Sequence, residues 1–176
     1  MKNLLLALIL MCGVTGLVMA NDDISSQPGY VNFDSLESEY GEAKVLINLN
    51  KTMLGFMSKL NAAGPATAEL FSKLKAVRVQ VYDIDKNEQP ALELISKVTE
   101  EITRENWMPV VSINEPDEKI RIFTKLTDDI MDGLVVMTIN EQGNGREAVF
   151  INIVGEIDPA QINQVTDSLN INVGIQ

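Results

Sequence analysis

Few residue types in this chain are able to do catalytic chemistry. The sequence has no histidine and a single cysteine, Cys12. The lack of histidine excludes a Ser-His-Asp triad and an imidazole zinc site. Cys12 lies in an N-terminal stretch that we expect to be removed, and its removal also excludes a thiolate nucleophile. The chemical groups that remain are carboxylates, lysines, hydroxyls and tyrosines.

The segment that begins at Asp83 is the first candidate for a metal site. Asp83, Asp85 and Asn87 place oxygens at positions 1, 3 and 5 of a calcium-type loop. An EF-hand loop also needs Gly at position 6 and Glu at position 12, where this chain has Glu88 and Leu94. We therefore interpret the segment as a polar turn between a strand and a helix, and we predict no bound metal or cofactor.

A second acidic cluster, Asp128, Asp129 and Asp132, precedes Gly133. Neighbouring carboxylates do acid–base work when one raises the pKa of the other. On an exposed turn they are simply hydrated, and we interpret residues 128–133 as an acidic turn. We therefore assign no catalytic residue.

An aromatic group supplies a third candidate, a ligand groove lined by Trp107, Tyr82 and Met108. Trp107 is the only tryptophan in the chain. Aromatic side chains on strands usually pack in the core, which is the alternative interpretation.

The first twenty residues have the pattern of a secretory signal peptide. Lys2 makes the start positive, residues 4–18 are almost all apolar, and Val18 and Ala20 occupy the −3 and −1 positions before the polar Asn21. We predict cleavage between Ala20 and Asn21 and export through the inner membrane, most simply to the periplasm.

Two other fates of the leader are disfavoured. Lipidation at Cys12 would need a small residue before it, and Met11 is bulky. A retained anchor of about 17 apolar residues lies at the bottom of the membrane-spanning range. No later stretch is long and apolar enough to span, so we expect no membrane span after cleavage.

Length and charge describe an acidic domain of ordinary size. The chain has 176 residues and a formal charge of −11. It is long enough to build one core without disulfides. Its negative charge repels phosphate backbones, so nucleic acid is not an expected partner. We divide the chain into a signal peptide (1–20), a polar acidic lead-in segment (21–43), one domain (44–170) and a tail (171–176).

Hydrophobic periodicity predicts the elements of that domain. Alternating apolar residues predict strands, and an apolar run at 148–154, formed by Val149, Phe150, Ile151, Ile153 and Val154, predicts a central strand. The lead-in segment offers side chains that would dock on the core: Tyr30, Phe33 and Leu36. Spacing of i, i+3, i+4 and i+7 predicts the buried face of the first helix: Met53, Phe56, Met57 and Leu60. A similar stripe predicts the buried face of a later helix: Leu92, Ile95, Val98 and Ile102.

These elements predict an α+β fold with the order β-α-α-β-α-β-β-β-β-α. The four consecutive strands favour a mostly antiparallel sheet of about six strands, with the helices packed on one face. The last helix would begin at Asp158-Pro159, where Asp caps and Pro occupies the first turn.

Four segments, taken in their order along the chain, resemble a family of exported bacterial proteins that is known only as a domain of unknown function. The segments are Gly29–Phe33, Lys44–Leu49, Leu74–Tyr82 and Val149–Pro159. Members of that family are often encoded beside extracytoplasmic-function sigma factors and their anti-sigma partners. The resemblance implies a role in envelope stress or signalling, and it supplies no catalytic residues.

The leading functional hypothesis is a non-enzymatic module that binds another envelope protein, because a sheet edge can accept a strand. The alternatives are a periplasmic protein that binds a small ligand or metal, and a carboxylate-based hydrolase. Oligomeric state does not follow from the sequence.

Overall fold

A computed structural model describes residues 23–60, 65–128, 130–142 and 145–157. These residues form one six-stranded antiparallel sheet with the spatial order β1-β2-β6-β5-β4-β3. The strands are β1 (Val45–Asn50), β2 (Leu74–Asp83), β3 (Met108–Asn114), β4 (Glu118–Thr127), β5 (Ile130–Gln142) and β6 (Gly145–Ile157). The helices are α1 (Glu37–Tyr40), α2 (Lys51–Leu60), α3 (Pro65–Lys73) and α4 (Gln89–Arg104).

The predicted α+β fold and antiparallel sheet are confirmed. The strand predicted as central, β6, pairs with β2 on one side and with β5 on the other. Residues 148–154 are buried throughout. The signal peptide with its cleavage site after Ala20, and the helix predicted from Asp158, lie outside the described residues.

The second acidic cluster does not form the long turn that we predicted. Thr127 already pairs with Ile130, so β5 begins two residues before Asp132. Asp128 takes the turn conformation, with a positive φ of 50°. Asp132 lies within β5 instead, at a register shift between Met131 and Gly133, and Asp129 lies outside the described residues.

The helices lie on both faces of the sheet, not on one as we predicted. Along β5, Val135, Met137 and Ile139 belong to one buried cluster, while Leu134 and Val136 belong to another. Side chains alternate between the faces of a strand, so these clusters lie on opposite sides of the sheet. The central strands are apolar on both faces, and each face therefore needs its own cover.

We call the side covered by α4 and the N-terminal segment the first face. Val31, Phe33 and Leu36 are buried there against the stripe of α4, and Leu92 of that stripe is only partly buried. The side covered by α2 and α3 is the second face. Its core includes Leu54, Leu70 and Phe71. The lead-in segment is thus part of the fold.

Helix α2 does not bury the stripe that periodicity predicts. Leu54 is buried and Met57 is half-buried, but Met53, Phe56 and Leu60 are 48, 62 and 57% exposed. The helix contacts β1 and β2, at one margin of the sheet. Only its inward side meets the strands, and apolar residues on its outer side remain in contact with water.

No described helix combines the length and the apolar content that a membrane crossing requires.

Candidate functional site

The three residues of the predicted ligand groove do not line a common groove. Trp107 and Tyr82 are both buried in the first-face core. Tyr82 pairs with Ala148 of β6, and Ala148 pairs with Ile139 of β5. The Trp107 ring lies beside Gly133, which is six residues from Ile139 along β5. Six residues of a strand span about 20 Å. Met108 is exposed on β3. These positions favour the core-packing interpretation of the two aromatic side chains.

The Asp83 segment uses its side-chain oxygens to build a turn. The Asp83 carboxylate accepts a hydrogen bond from the amide of Asp85 (3.1 Å), and the Asn87 side chain accepts one from the amide of Gln89 (3.1 Å). The Asp85 carboxylate accepts from the amide of Arg146. Within the part of the chain that the structure describes, no three carboxylates converge to hold a metal ion.

Among the described residues, three large exposed apolar side chains, Met53, Phe56 and Leu60, lie on α2. Ser58 faces α3, because its hydroxyl donates to the carbonyl of Ala68 (2.7 Å). A helix turns by about 100° per residue, so Met53, Phe56 and Leu60 lie on the opposite side of α2 from Ser58. Since α3 packs towards β6 and α2 packs on β2 and β1, this side of α2 is turned towards the β1 margin.

Strand β1 adds an unpaired backbone to that apolar stripe. It pairs with β2, and no other described strand lies on its outer side. Val45 and Leu46, on its two faces, are exposed. We call β1 together with the exposed stripe Met53, Phe56 and Leu60 the edge surface. An unpaired edge strand is a template for another strand.

The opposite edge of the sheet, β3, is protected in a way that β1 is not. Pro109 cannot donate a backbone hydrogen bond, and the register of β3 shifts between Pro109 and Val111. Prolines and bulges are standard devices against edge-to-edge pairing. The sequence of β1, Val45–Asn50, contains no proline, and its register with β2 is unbroken.

A cleft of about 550 Å³ opens on the first-face side of β1. It lies between the β1–β2 strands and the N-terminal segment. The two strands supply neighbouring residues, because Asn48 pairs with Arg78 and Asn50 pairs with Ala76. The lining residues are Ile24, Gln27, Tyr30, Asn48, Leu49, Asn50, Lys51, Thr52, Lys75, Ala76 and Arg78. We call this the cationic cleft.

Arg78 fixes the wall of the cationic cleft. One guanidinium nitrogen forms an ion pair with Asp34 (2.6 Å), and another donates to the carbonyl of Val31 (3.1 Å). The guanidinium also lies 5.0 Å from the centroid of the Tyr30 ring, a cation–π contact. Arg78 thus holds the N-terminal segment against β2.

Two lysines at the cleft have no described carboxylate partner. The ammonium of Lys75 donates to the neutral side-chain carbonyl of Gln27 (2.7 Å), and no carboxylate among the described residues neutralises its charge. Lys51 is the first residue of α2, and Asn50 caps the first turn of that helix. The side-chain oxygen of Asn50 accepts a hydrogen bond from the amide of Met53 (2.9 Å). The cap satisfies one of the free amides of that turn.

Sequence reasoning did not find the cationic cleft. Its residues come from three separate parts of the chain, and Gln27 and Lys75, which form a hydrogen bond, are 48 positions apart in the sequence. Only the pairing register of β1 and β2 brings Asn48 beside Arg78. The one local signal is the run Asn48-Leu49-Asn50-Lys51-Thr52, which places polar side chains at a strand-to-helix junction.

These features describe an α+β domain with an open apolar edge and a cationic cleft. A family model described as a domain of unknown function, DUF4252, matches residues 40–165, and the chain belongs to that family. Comparisons with curated proteins and with solved structures give no significant match.

Proposed function

We propose that this protein is a non-enzymatic binding module of the cell envelope that captures an extended segment of a partner protein. The observation that carries the proposal is the edge surface. Three large apolar side chains of α2 are about half exposed or more beside a strand whose outer side no described strand pairs. Isolated exposed apolar side chains are ordinary, but a group beside an open edge is typical of an interaction site.

Strand addition explains why the apolar stripe and the edge occur together. A strand that pairs with β1 gains backbone hydrogen bonds, and its side chains alternate between the two faces. One set of its side chains would lie beside Met53, Phe56 and Leu60. The other set would lie on the side of Leu46 and the cationic cleft. The expected partner segment is therefore an extended one with apolar side chains at alternate positions.

Charge indicates what the remaining positions of the partner segment carry. Helix α2 contains Lys51 and Lys59 and no carboxylate. Lys44, at the other end of β1, pairs with Glu147, whose hydrogen bond raises the pKa of Lys44, and Asp83 and Asp85 also act on its charge. The α2 side of the edge surface is thus the locally positive part, on a chain whose formal charge is −11. Acidic side chains on the partner segment complement it.

The cellular setting of this proposal comes from the sequence. The signal-peptide pattern supports export, and the family resemblance supports a link to envelope stress or sigma and anti-sigma signalling. The absence of histidine supports a non-enzymatic role, because histidine is the most common acid–base catalyst.

A photo-crosslinking experiment in intact cells tests the proposal. A photoreactive side chain is placed at position 56 of the exported chain, and the crosslinked peptide of the partner is identified by mass spectrometry. We expect one extended segment with alternating apolar and acidic residues. A synthetic peptide of that segment should then protect the β1 amides from hydrogen exchange, and Phe56→Asp should abolish the protection.

Val110→Asp is the matched control, because Val110, on the protected edge β3, is 57% exposed and Phe56 is 62% exposed. Its binding of the peptide should equal that of the wild-type chain. A crosslinked segment that is helical and leaves β1 exchange unchanged would contradict strand addition. Sedimentation with anionic vesicles that requires Phe56, without any protein crosslink, would show that the edge surface is a membrane contact instead.

A further inference from the structure

We infer that the cationic cleft is a binding site for a small ligand that carries an oxyanion, a carboxylate or a phosphate. The cleft opens on the first face and the exposed stripe of α2 lies on the second face, and this inference rests on the lining of the cleft alone. The volume of the cationic cleft, about 550 Å³, lies within the range of small-molecule sites.

The charge of the lining is the opposite of the charge of the chain. Lys51, Lys75 and Arg78 line the cleft, and no described Asp or Glu lines it. The whole chain has 14 basic and 25 acidic residues, so a group of three cations without a lining carboxylate is a local reversal of sign. Such a reversal concentrates anions at the cleft and repels cations from it.

The three cations have different roles because their partners differ. Arg78 is already paired with Asp34, and it positions the Tyr30 wall. Lys75 donates to a neutral oxygen, and an ammonium carries three donors, so it keeps both its charge and further donors. Lys51 makes no described ion pair. Lys51 and Lys75 are therefore the groups that would contact the oxyanion.

The first turn of α2 adds backbone donors next to Lys51. Asn50 caps the amide of Met53, while the amides of Lys51 and Thr52 have no partner within the helix. Amides at a helix N-terminus and its dipole favour an anion. Since Lys51 and Thr52 themselves line the cleft, the helix terminus and the lysine charges act on the same space.

The rest of the lining determines what the ligand carries besides its anionic group. Asn48, Asn50 and Thr52 offer amide and hydroxyl groups, and Tyr30 offers an aromatic ring. A small organic acid or a phosphate ester with hydroxyl groups would satisfy these partners. A purely apolar ligand would leave them without hydrogen bonds and would be rejected.

Titration of the exported protein with two probes tests the inference. Inorganic phosphate and succinate are added separately to the ¹⁵N-labelled chain at constant ionic strength, with chloride as the reference anion. We expect saturable shifts of the Lys51 and Thr52 amides with at least one probe. The double variant Lys51→Gln/Lys75→Gln should raise the dissociation constant by about tenfold or more, which corresponds to about 1.4 kcal/mol.

Lys97→Gln is the matched control, since Lys97 is exposed on α4 and does not line the cleft. The dissociation constants of this variant should equal those of the wild-type chain. Saturation by phosphate alone would assign a phosphate ligand, and saturation by succinate alone would assign a carboxylate. Shifts that do not saturate with either probe, or binding that survives the double variant, would overturn the inference. Phe56→Asp should leave these titrations unchanged, which separates this test from that of partner capture.

Discussion

The two faces of the sheet are covered by elements that are attached in different ways. On the first face, the N-terminal segment packs Phe33 into the core, and the centroids of the Phe33 and Phe150 rings are 5.3 Å apart. On the second face, α2 buries Leu54 and leaves Phe56 exposed. Phe33 is thus part of the core, whereas the Phe56 side chain is 62% exposed.

Buried polar contacts strengthen the attachment on the first face. Asn152 is fully buried; its side-chain oxygen accepts from the amide of Val31 (2.9 Å), and its nitrogen donates to the carbonyl of Gly29 (2.8 Å). Tyr40 adds a second anchor, because its hydroxyl accepts from the amide of Ala91 (3.1 Å) and donates to the carbonyl of Asn87 (2.8 Å). Burial alone would hold this segment less specifically.

The same contrast separates the two edges of the sheet. Strand β3 is interrupted by Pro109 and a register shift, while β1 has an unbroken register and an apolar helix beside it. Of the two edges, only β1 therefore offers an uninterrupted backbone for strand addition. The comparison supports the proposal that the exposed residues of α2 and β1 act together as the edge surface.

The largest expected effect is that of Phe33→Ala. Removing a large, 1% exposed aromatic side chain leaves a cavity in the first face, so the free energy of unfolding should fall by about 3–5 kcal/mol. Chemical denaturation followed by Trp107 fluorescence measures it. A loss below about 1 kcal/mol would mean that the N-terminal segment is only loosely attached.

Asn152→Ala should have the next largest effect. It leaves the amide of Val31 and the carbonyl of Gly29 buried without their partner, and each such group costs about 1–3 kcal/mol. The amide of Val31 should also lose protection in hydrogen exchange more than the amides of β4 do. Equal loss across the whole sheet would indicate general destabilisation instead of release of the segment.

Tyr40→Phe should cost about 1 kcal/mol, because it removes two hydrogen bonds at the surface of the first face. Burial raises the pKa of Tyr40, although the amide of Ala91 opposes this, and burial also raises the pKa of Tyr82. A raised folded-state pKa stabilises the protein below the unfolded value near 10, and that stabilisation is lost as the pH rises through the folded-state pKa.

The alkaline loss of stability should therefore be smaller in the Tyr40→Phe variant than in the wild-type chain. Denaturation curves at pH values on both sides of 10 measure the difference. Tyr82 accounts for the dependence that remains, and identical pH profiles for the two proteins would contradict the role of Tyr40.

Phe56→Ala should change the free energy of unfolding least, by less than about 0.5 kcal/mol, although it removes the same atoms as Phe33→Ala. The two variants measured side by side are the sharpest form of the comparison between the faces. A loss above about 2 kcal/mol for Phe56→Ala would show that the ring is covered within the folded chain, and the edge surface would then lose its basis.

Much of the fold follows from local pattern. The apolar run at 148–154 predicts a central strand, and the stripe of α4 meets the core because only one of its sides is apolar. Helix α2 carries apolar residues on more than one side, so periodicity alone cannot select the side that is buried. The prediction chose Phe56 where the fold buries Leu54.

What the sequence by itself determined is the α+β class, the antiparallel sheet and the lack of histidine chemistry, because composition and short-range periodicity are properties of the chain alone. Only the tertiary structure decided that helices cover both faces, that the stripe of α2 stays exposed, and that Lys51, Lys75 and Arg78 share a cleft. These features depend on strand order and register, which bring together residues that are distant in the chain.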